Sequence, residues 1–258
     1  MRAVGRTSIV LCAGAVLACT LVVQPAAAQS VTGNPKDGAT HEFYFTRGIY
    51  GGDGGEDWGP RWAIDFPEAD EHFLVALRRL TVLDASDTHN AVTLEDPRLR
   101  DYPFLYILEV GSLSLTDKQV AALRDYLLAG GFMVVDDFWG SWAWDNFEHQ
   151  MGLVFPGRPI VGVPLDHPVF HAFYDIGKVI QVPNVYQATG SGPTHELDGK
   201  VPHVRGIFDD KGRLMVLINL NTDLGDAWEW ADNPNYPLRY STYAFEMGIN
   251  FVIYGMSH

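Results

Sequence analysis

Residues Phe104–Asp137 read FLYILEVGSLSLTDKQVAALRDYLLAGGFMVVDD, and this stretch decides the fold. Phe104–Val110 is an apolar run broken only by Glu109, the pattern of a strand covered on both faces. Thr116 and Gln119 have the spacing of a capping box, and Val120, Leu123, Leu127 and Leu128 build one apolar helical face. Gly130 supplies the left-handed residue that stops such a helix. Gly131 leads straight into a second buried run, Phe132–Val135, which ends at Asp136 and Asp137. Strand, helix and strand with short joints predict a parallel crossover.

Working outward, Phe43 and Phe45 alternate with Tyr44 and Thr46, so Glu42–Arg47 is predicted as the first strand. A glycine-rich loop follows, then a helix over Pro67–Leu80. Phe73, Leu74, Leu77 and Leu80 share its apolar face. Glu68, Asp70 and Glu71 sit in its first turn and Arg78 and Arg79 in its last, each suited to the helix dipole. A short strand is predicted at Ala91–Leu94. Beyond Asp137, prolines interrupt short strand candidates at Ile160–Val163 and Val179–Val182. His203–Phe208 and Leu214–Leu220 flank Asp209–Gly212 as an antiparallel hairpin, and a last helix is expected over Tyr240–Tyr254. The fold expected is α/β: a mainly parallel sheet with helices on both faces and an antiparallel hairpin at one edge.

The N-terminus has its own logic. Arg2 and Arg6 precede an apolar run over Ser8–Val23, and Pro25 with Ala26, Ala27 and Ala28 offers a cleavage site, so residues 1–28 read as a secretion signal. Cys19 after Val16, Leu17 and Ala18 is the alternative, a lipid anchor, although Leu17 stands where a small residue is usual. Residues 29–40 are polar and read as a flexible leader, with 41–258 as one α/β domain. The expected location is the periplasm or the outside of the cell.

The whole chain has 18 basic and 32 acidic residues; loss of Arg2 and Arg6 leaves 16 against 32, a net −16. Such a charge argues against nucleic acid and anionic lipid as partners. Both cysteines, Cys12 and Cys19, fall in the signal, which removes disulfides and thiol nucleophiles from the exported part. No later apolar run is long enough to span a bilayer.

Five segments together carry a resemblance: FYFTRGIY at Phe43–Tyr50, DFPEAD at Asp65–Asp70, YPFLYILEVG at Tyr102–Gly111, YLLAGGFMVVDD at Tyr126–Asp137 and GINFVIYGMSH at Gly248–His258. They resemble the bacterial "domain of unknown function 4159" family. That resemblance implies a fold similar to class I glutamine amidotransferases, a flavodoxin-like arrangement, and brings no established reaction. In that fold the segment around Gly130 and Gly131 delivers a nucleophilic cysteine at a sharp turn. The corresponding place here falls at or near Asp136. A carboxylate does not replace a thiolate in glutamine hydrolysis, so cysteine-dependent amidotransferase activity is not expected.

In open parallel sheets ligands bind beyond the carboxyl ends of the strands. The rule selects Arg47 and Tyr50, then Glu109, then Asp136 with Asp137, followed by Trp139, Trp142 and Trp144. The tryptophans read either as a platform for a sugar or other flat ligand, or as core. Asp136 and Asp137 would point to opposite sides of a strand. One of them with Glu109 would make an acid/base pair or hold a hard cation. The alternative is that one caps the following helix and the other pairs with an arginine such as Arg47.

Asp53, Glu56 and Asp57, and Asn219, Asn221, Asp223 and Asp226, lack the ligand spacing of a calcium loop and read as solvated turn residues. His167 and His171 are four apart, the spacing of a zinc pair on a helix, but Pro168 favours a turn or cap role for His167. No serine-hydrolase elbow, phosphate loop or dinucleotide fingerprint is present, and no cofactor is expected. The leading expectation is an exported, noncatalytic domain that binds a partner protein of the envelope or a small polar ligand through Arg47, Glu109, Asp136 and Trp139. The alternatives are a carboxylate- or metal-dependent hydrolase, acting on carbohydrate, and a structural component of an envelope assembly.

Overall fold

The computed structural model describes residues 31–32, 40–51 and 59–258. The predicted signal with its cleavage point, Cys19, most of the leader, and Asp53, Glu56 and Asp57 lie outside the described residues. The strands are β1 (Val31–Thr32), β2 (Thr46–Ile49), β3 (Asn90–Thr93), β4 (Phe104–Leu108), β5 (Phe132–Asp136), β6 (Val161–Gly162), β7 (His203–Phe208) and β8 (Leu214–Leu220). The helices are α1 (Glu68–Leu80), α2 (Asp117–Leu128), α3 (Gly140–Val154), α4 (Val185–Thr189), α5 (Leu224–Glu229) and α6 (Leu238–Ser257).

All eight strands form one sheet in the order β1-β3-β2-β4-β5-β8-β7-β6. The middle five, β3-β2-β4-β5-β8, are parallel. The β7–β8 hairpin and β6 continue one edge antiparallel, as the sequence predicts for that hairpin. Val31–Thr32, inside the stretch read as a leader, pair antiparallel with β3 at the opposite edge.

The central crossover forms as its residues dictate. Thr116 accepts the Gln119 N–H while the Gln119 side chain accepts the Thr116 N–H, closing the capping box at the start of α2. Gly130, at φ 119°, turns the chain into β5. One face of the sheet buries Phe43, Phe45, Phe104, Tyr106, Phe132 and Leu217 against α1, α5 and α6. The other buries Leu105, Ile107, Met133, Val135 and Ile218 against α2 and α3. Both faces are therefore covered, which is why β4 and β5 read as unbroken apolar runs.

Several expected bounds shift. The first strand begins at Thr46 and continues to Ile49, past Arg47 where the sequence ends it. Gly48 permits this: a Cβ there would meet Ile107 Cγ2 at 2.6 Å, so only glycine lets β2 lie this close to β4. β4 stops at Leu108 because Glu109 turns left-handed, φ 53°. The Val179–Val182 candidate is not a strand; Val182 N–H donates instead to the Thr222 hydroxyl, a side-chain bond that no ladder pattern foreshadows. The last helix extends to Leu238–Ser257.

Candidate functional site

The parallel part of the sheet starts at β2, adds β3 on one side, and crosses back to place β4 on the other. That reversal opens a crevice beyond the carboxyl ends of the parallel strands. Glu109 follows β4, Asp137 follows β5, and Asp223 follows β8 by three residues. Register explains their convergence, because Leu108 pairs with Asp136 and Val135 with Ile218, so the three strands end at one level. The loop before α1 adds Arg61 and Asp65, α5 adds Asp226 and Glu229, and the loop after α4 adds Glu196. Together they surround a cleft of about 390 Å³ with seven carboxylates and one arginine.

Two oxygen clusters lie inside it: Asp65, Asp137 and Asp223, and Asp65, Asp226 and Glu229, each with ligand atoms within 4.8 Å of one another. Arg61 Nη1 is 3.2 Å from Glu109 Oε1, so the one guanidinium is already engaged at the rim. Burial raises the carboxyl pKa of Asp137, and Glu109 raises it further; burial with Asp137 does the same to Asp223, and burial with Asp226 to Asp65. Glu229 is pushed up to about 7 by burial and by Asp226 beside it. Arg61 beside Glu109 and Arg47 near Asp65 work against these rises without reversing them.

Among the described residues, five non-glycine residues adopt left-handed backbone: Asp65, Glu109, Asp137, Leu197 and Asn221. The first three line this cleft and Leu197 lines the groove beside it. Left-handed backbone in non-glycine residues is uncommon, and here it gathers around one crevice.

Asp136 and Asp137 divide their roles in a way the sequence leaves open. Asp136 is fully buried; its Oδ2 accepts from the Tyr106 hydroxyl at 2.8 Å and from the Leu224 and Gly225 N–H groups at 2.8 and 3.3 Å. It thus holds the first turn of α5, a helix far along the chain rather than the one that follows it. Burial lifts its pKa to about 6 despite these donors. Asp137, at φ 47°, makes the sharp turn after β5, next to Asp136, and lines the cleft. Its Oδ1 accepts the Trp139 indole N–H at 3.0 Å.

Arg47 does not reach the cleft. Its Nε donates to both Asp70 oxygens, at 2.8 and 3.1 Å, and Nη1 donates to the carbonyls of Trp62 and Ile64. Its partner is therefore Asp70 on α1, not Asp136 or Asp137. The Tyr50 hydroxyl donates to the Leu108 carbonyl at 2.7 Å, tying β2 to β4 behind Glu109. Trp139 is buried while Trp142 is 70 % exposed. Both line a second groove of about 310 Å³ that shares Arg61, Glu109 and Glu196 with the cleft. Trp144 stands apart, under the Arg205 guanidinium at 4.4 Å.

His167 caps a short 3₁₀ turn, its Nδ1 accepting the Val169 N–H, and His171 contacts Asp175 and the Leu165 carbonyl. Neither belongs to an oxygen cluster. Asp223 and Asp226, expected to be solvated, are buried, because Asp223 caps α5 by accepting the Asp226 N–H at 2.8 Å. Asp65, Glu196 and Glu229 join the site with no local signal. Only the spacing of Asp223 and Asp226, an N-cap and its third residue, was available in the sequence.

The family described as Domain of unknown function (DUF4159) matches residues 49–256. Among curated proteins none matches the chain.

Proposed function

The chain belongs to the DUF4159 family, whose description assigns no function, and from the geometry we propose an exported domain that binds a small, positively charged polar ligand in the acidic cleft without turning it over. The observation that carries this reading is the imbalance of seven carboxylates against one arginine around a cleft of ligand size. A cation entering it replaces protons and relieves repulsion among Asp65, Asp137 and Asp223. Export is supported by Arg2 and Arg6, the apolar run after them, Ala26–Ala28, and the confinement of cysteine to Cys12 and Cys19.

Calorimetry with putrescine, spermidine and agmatine in EDTA-containing buffer tests the reading. At least one is expected to bind, and Glu196→Gln with Asp226→Asn to weaken it by about tenfold, roughly 1.4 kcal/mol. No heat from any of the three at millimolar concentration would sink it. Cell fractionation tests export: a product starting near Gln29 outside the cytoplasm is expected, and an uncut cytoplasmic chain would contradict it.

A second reading, a carboxylate-dependent hydrolase acting on carbohydrate, is favoured by the tryptophan groove that shares Glu109 and Glu196 with the cleft. Sugar release from a panel of glycosides, abolished by Asp137→Asn, would establish it in place of the first.

A further inference from the structure

The floor of the cleft is built differently from its rim. Asp65, Asp137 and Asp223 come from three separate places, the loop before α1, the turn after β5 and the loop after β8, yet their oxygens lie within 4.8 Å of one another. That span matches the separation of oxygens on opposite sides of one hard cation, whose metal–oxygen bonds run about 2.1–2.5 Å. Asp137 and Asp223 are buried side chains. Each gives one oxygen to a fixed donor, the Trp139 indole and the Asp226 N–H, which sets its orientation and leaves it a second oxygen.

Asp65 provides an independent sign. Its Oδ2 is sealed from solvent and no hydrogen-bond donor reaches it. A sealed carboxylate oxygen without a partner is costly, and folds keep such groups where something else completes them. The oxygen faces α5 at Gly225, where a Cβ would come within 2.5 Å of it, so the backbone there is shaped to admit this carboxylate. Among the described residues that line the cleft, the one lysine or arginine is Arg61, and it is spent on Glu109.

We propose that Asp65, Asp137 and Asp223 bind a hard divalent cation, Ca²⁺, Mg²⁺ or Mn²⁺, at the base of the cleft. The donor set is all oxygen, with no histidine or cysteine, which selects these ions over zinc or copper. The opening above the three acids leaves coordination positions for water or for ligand oxygens. Glu109, Glu196, Asp226 and Glu229 remain around the bound ion to meet a positively charged ligand. The proposal rests on reading this cleft as the binding site, and it makes the ion part of that site.

The test uses protein stripped with EDTA and then dialysed free of it. Titration with Ca²⁺, Mg²⁺ and Mn²⁺ by calorimetry is expected to show one ion per chain and a rise in Tm with ion concentration. Tb³⁺ should give luminescence sensitised by Trp139 and Trp230, which flank the site, and Ca²⁺ should quench it. Asp223→Asn and Asp65→Asn should each weaken binding by tenfold or more while the ion-free variants melt no lower than the ion-free parent. The parent comparison separates loss of the ion from loss of the fold.

No binding of any of the three ions at about 10 mM, above the weakest natural calcium sites, overturns the proposal. So does binding that both variants retain. If amines bind in EDTA and the ions do not, the cation site falls and the cleft reading stands; if ions bind and amines do not, the reverse holds.

Discussion

Arg47 on β2 and Asp70 on α1 form an ion pair with both side chains out of solvent, 1 % and 0 % exposed, and Nη2 2.7 Å from Oδ1. The pair lies behind the acidic cleft and fastens α1 to the sheet. The rings of Phe66 and Tyr106 flank the guanidinium at 5.5 Å. Removing one partner of a buried pair strands the other, at a cost of about 3–5 kcal/mol. Asp70→Ala should lower the urea midpoint accordingly, and Arg47→Met combined with Asp70→Leu should recover much of the loss. A small effect of Asp70→Ala would mean that the carboxylate is not ionised there.

Asp136 is a structural carboxylate on this geometry, holding α5 to β5 while Asp137 faces the cleft. Tyr106→Phe removes one of its donors and should cost about 1–3 kcal/mol, since it leaves a buried acceptor short of a partner. Amine and metal affinities should change less than threefold. A loss of binding equal to that of Asp223→Asn would place Asp136 in the site itself.

Stability should fall as pH rises in metal-free buffer. The folded-state pKa values of Asp136, about 6, and Glu229, about 7, lie above those of the unfolded chain, so the folded protein holds more protons. Their contribution is complete below about pH 4 and is lost as pH climbs through 6 and 7. For Asp136 alone the change between pH 5 and pH 8 is about 1.4 kcal/mol, because roughly half of its contribution is already lost by pH 5. Denaturation at pH 5 and 8 in EDTA measures it, and a rise in stability over that interval would contradict the assignment.

Gly225→Ala is expected to damage the cleft from beneath. Its Cβ would enter the space of Asp65 Oδ2 and displace that carboxylate, weakening cation binding by about tenfold. Trp142→Ala, at an exposed position, should alter stability by no more than about 0.5 kcal/mol. If it also leaves glycoside binding unchanged, the groove of Trp139 and Trp142 has no part in recognising sugars.

The legible parts of the chain are those held by near neighbours. The Thr116–Gln119 capping box, the Gly130 stop, the β7–β8 hairpin and the runs of β4 and β5 each depend on residues a few positions apart, and all are present. Glu109 and Asp137 were findable because strand ends of a parallel sheet share one rim. The division between Asp136 and Asp137 was not, since it depends on which one meets α5, some ninety residues later. For the same reason Arg47 gave no hint that Asp70 would take it from the rim, and Asp223 and Asp226 looked solvated until α5 buried them.

Patterning along the chain, then, determined a parallel α/β sheet covered on both faces, because hydrophobic periodicity and helix caps act over one or two turns. Tertiary packing alone decided which carboxylates share the cleft. Asp65, Asp137 and Asp223 are brought together by strand order and by the docking of α5, and electrostatic repulsion among acids so far apart in sequence exists only once the chain has folded.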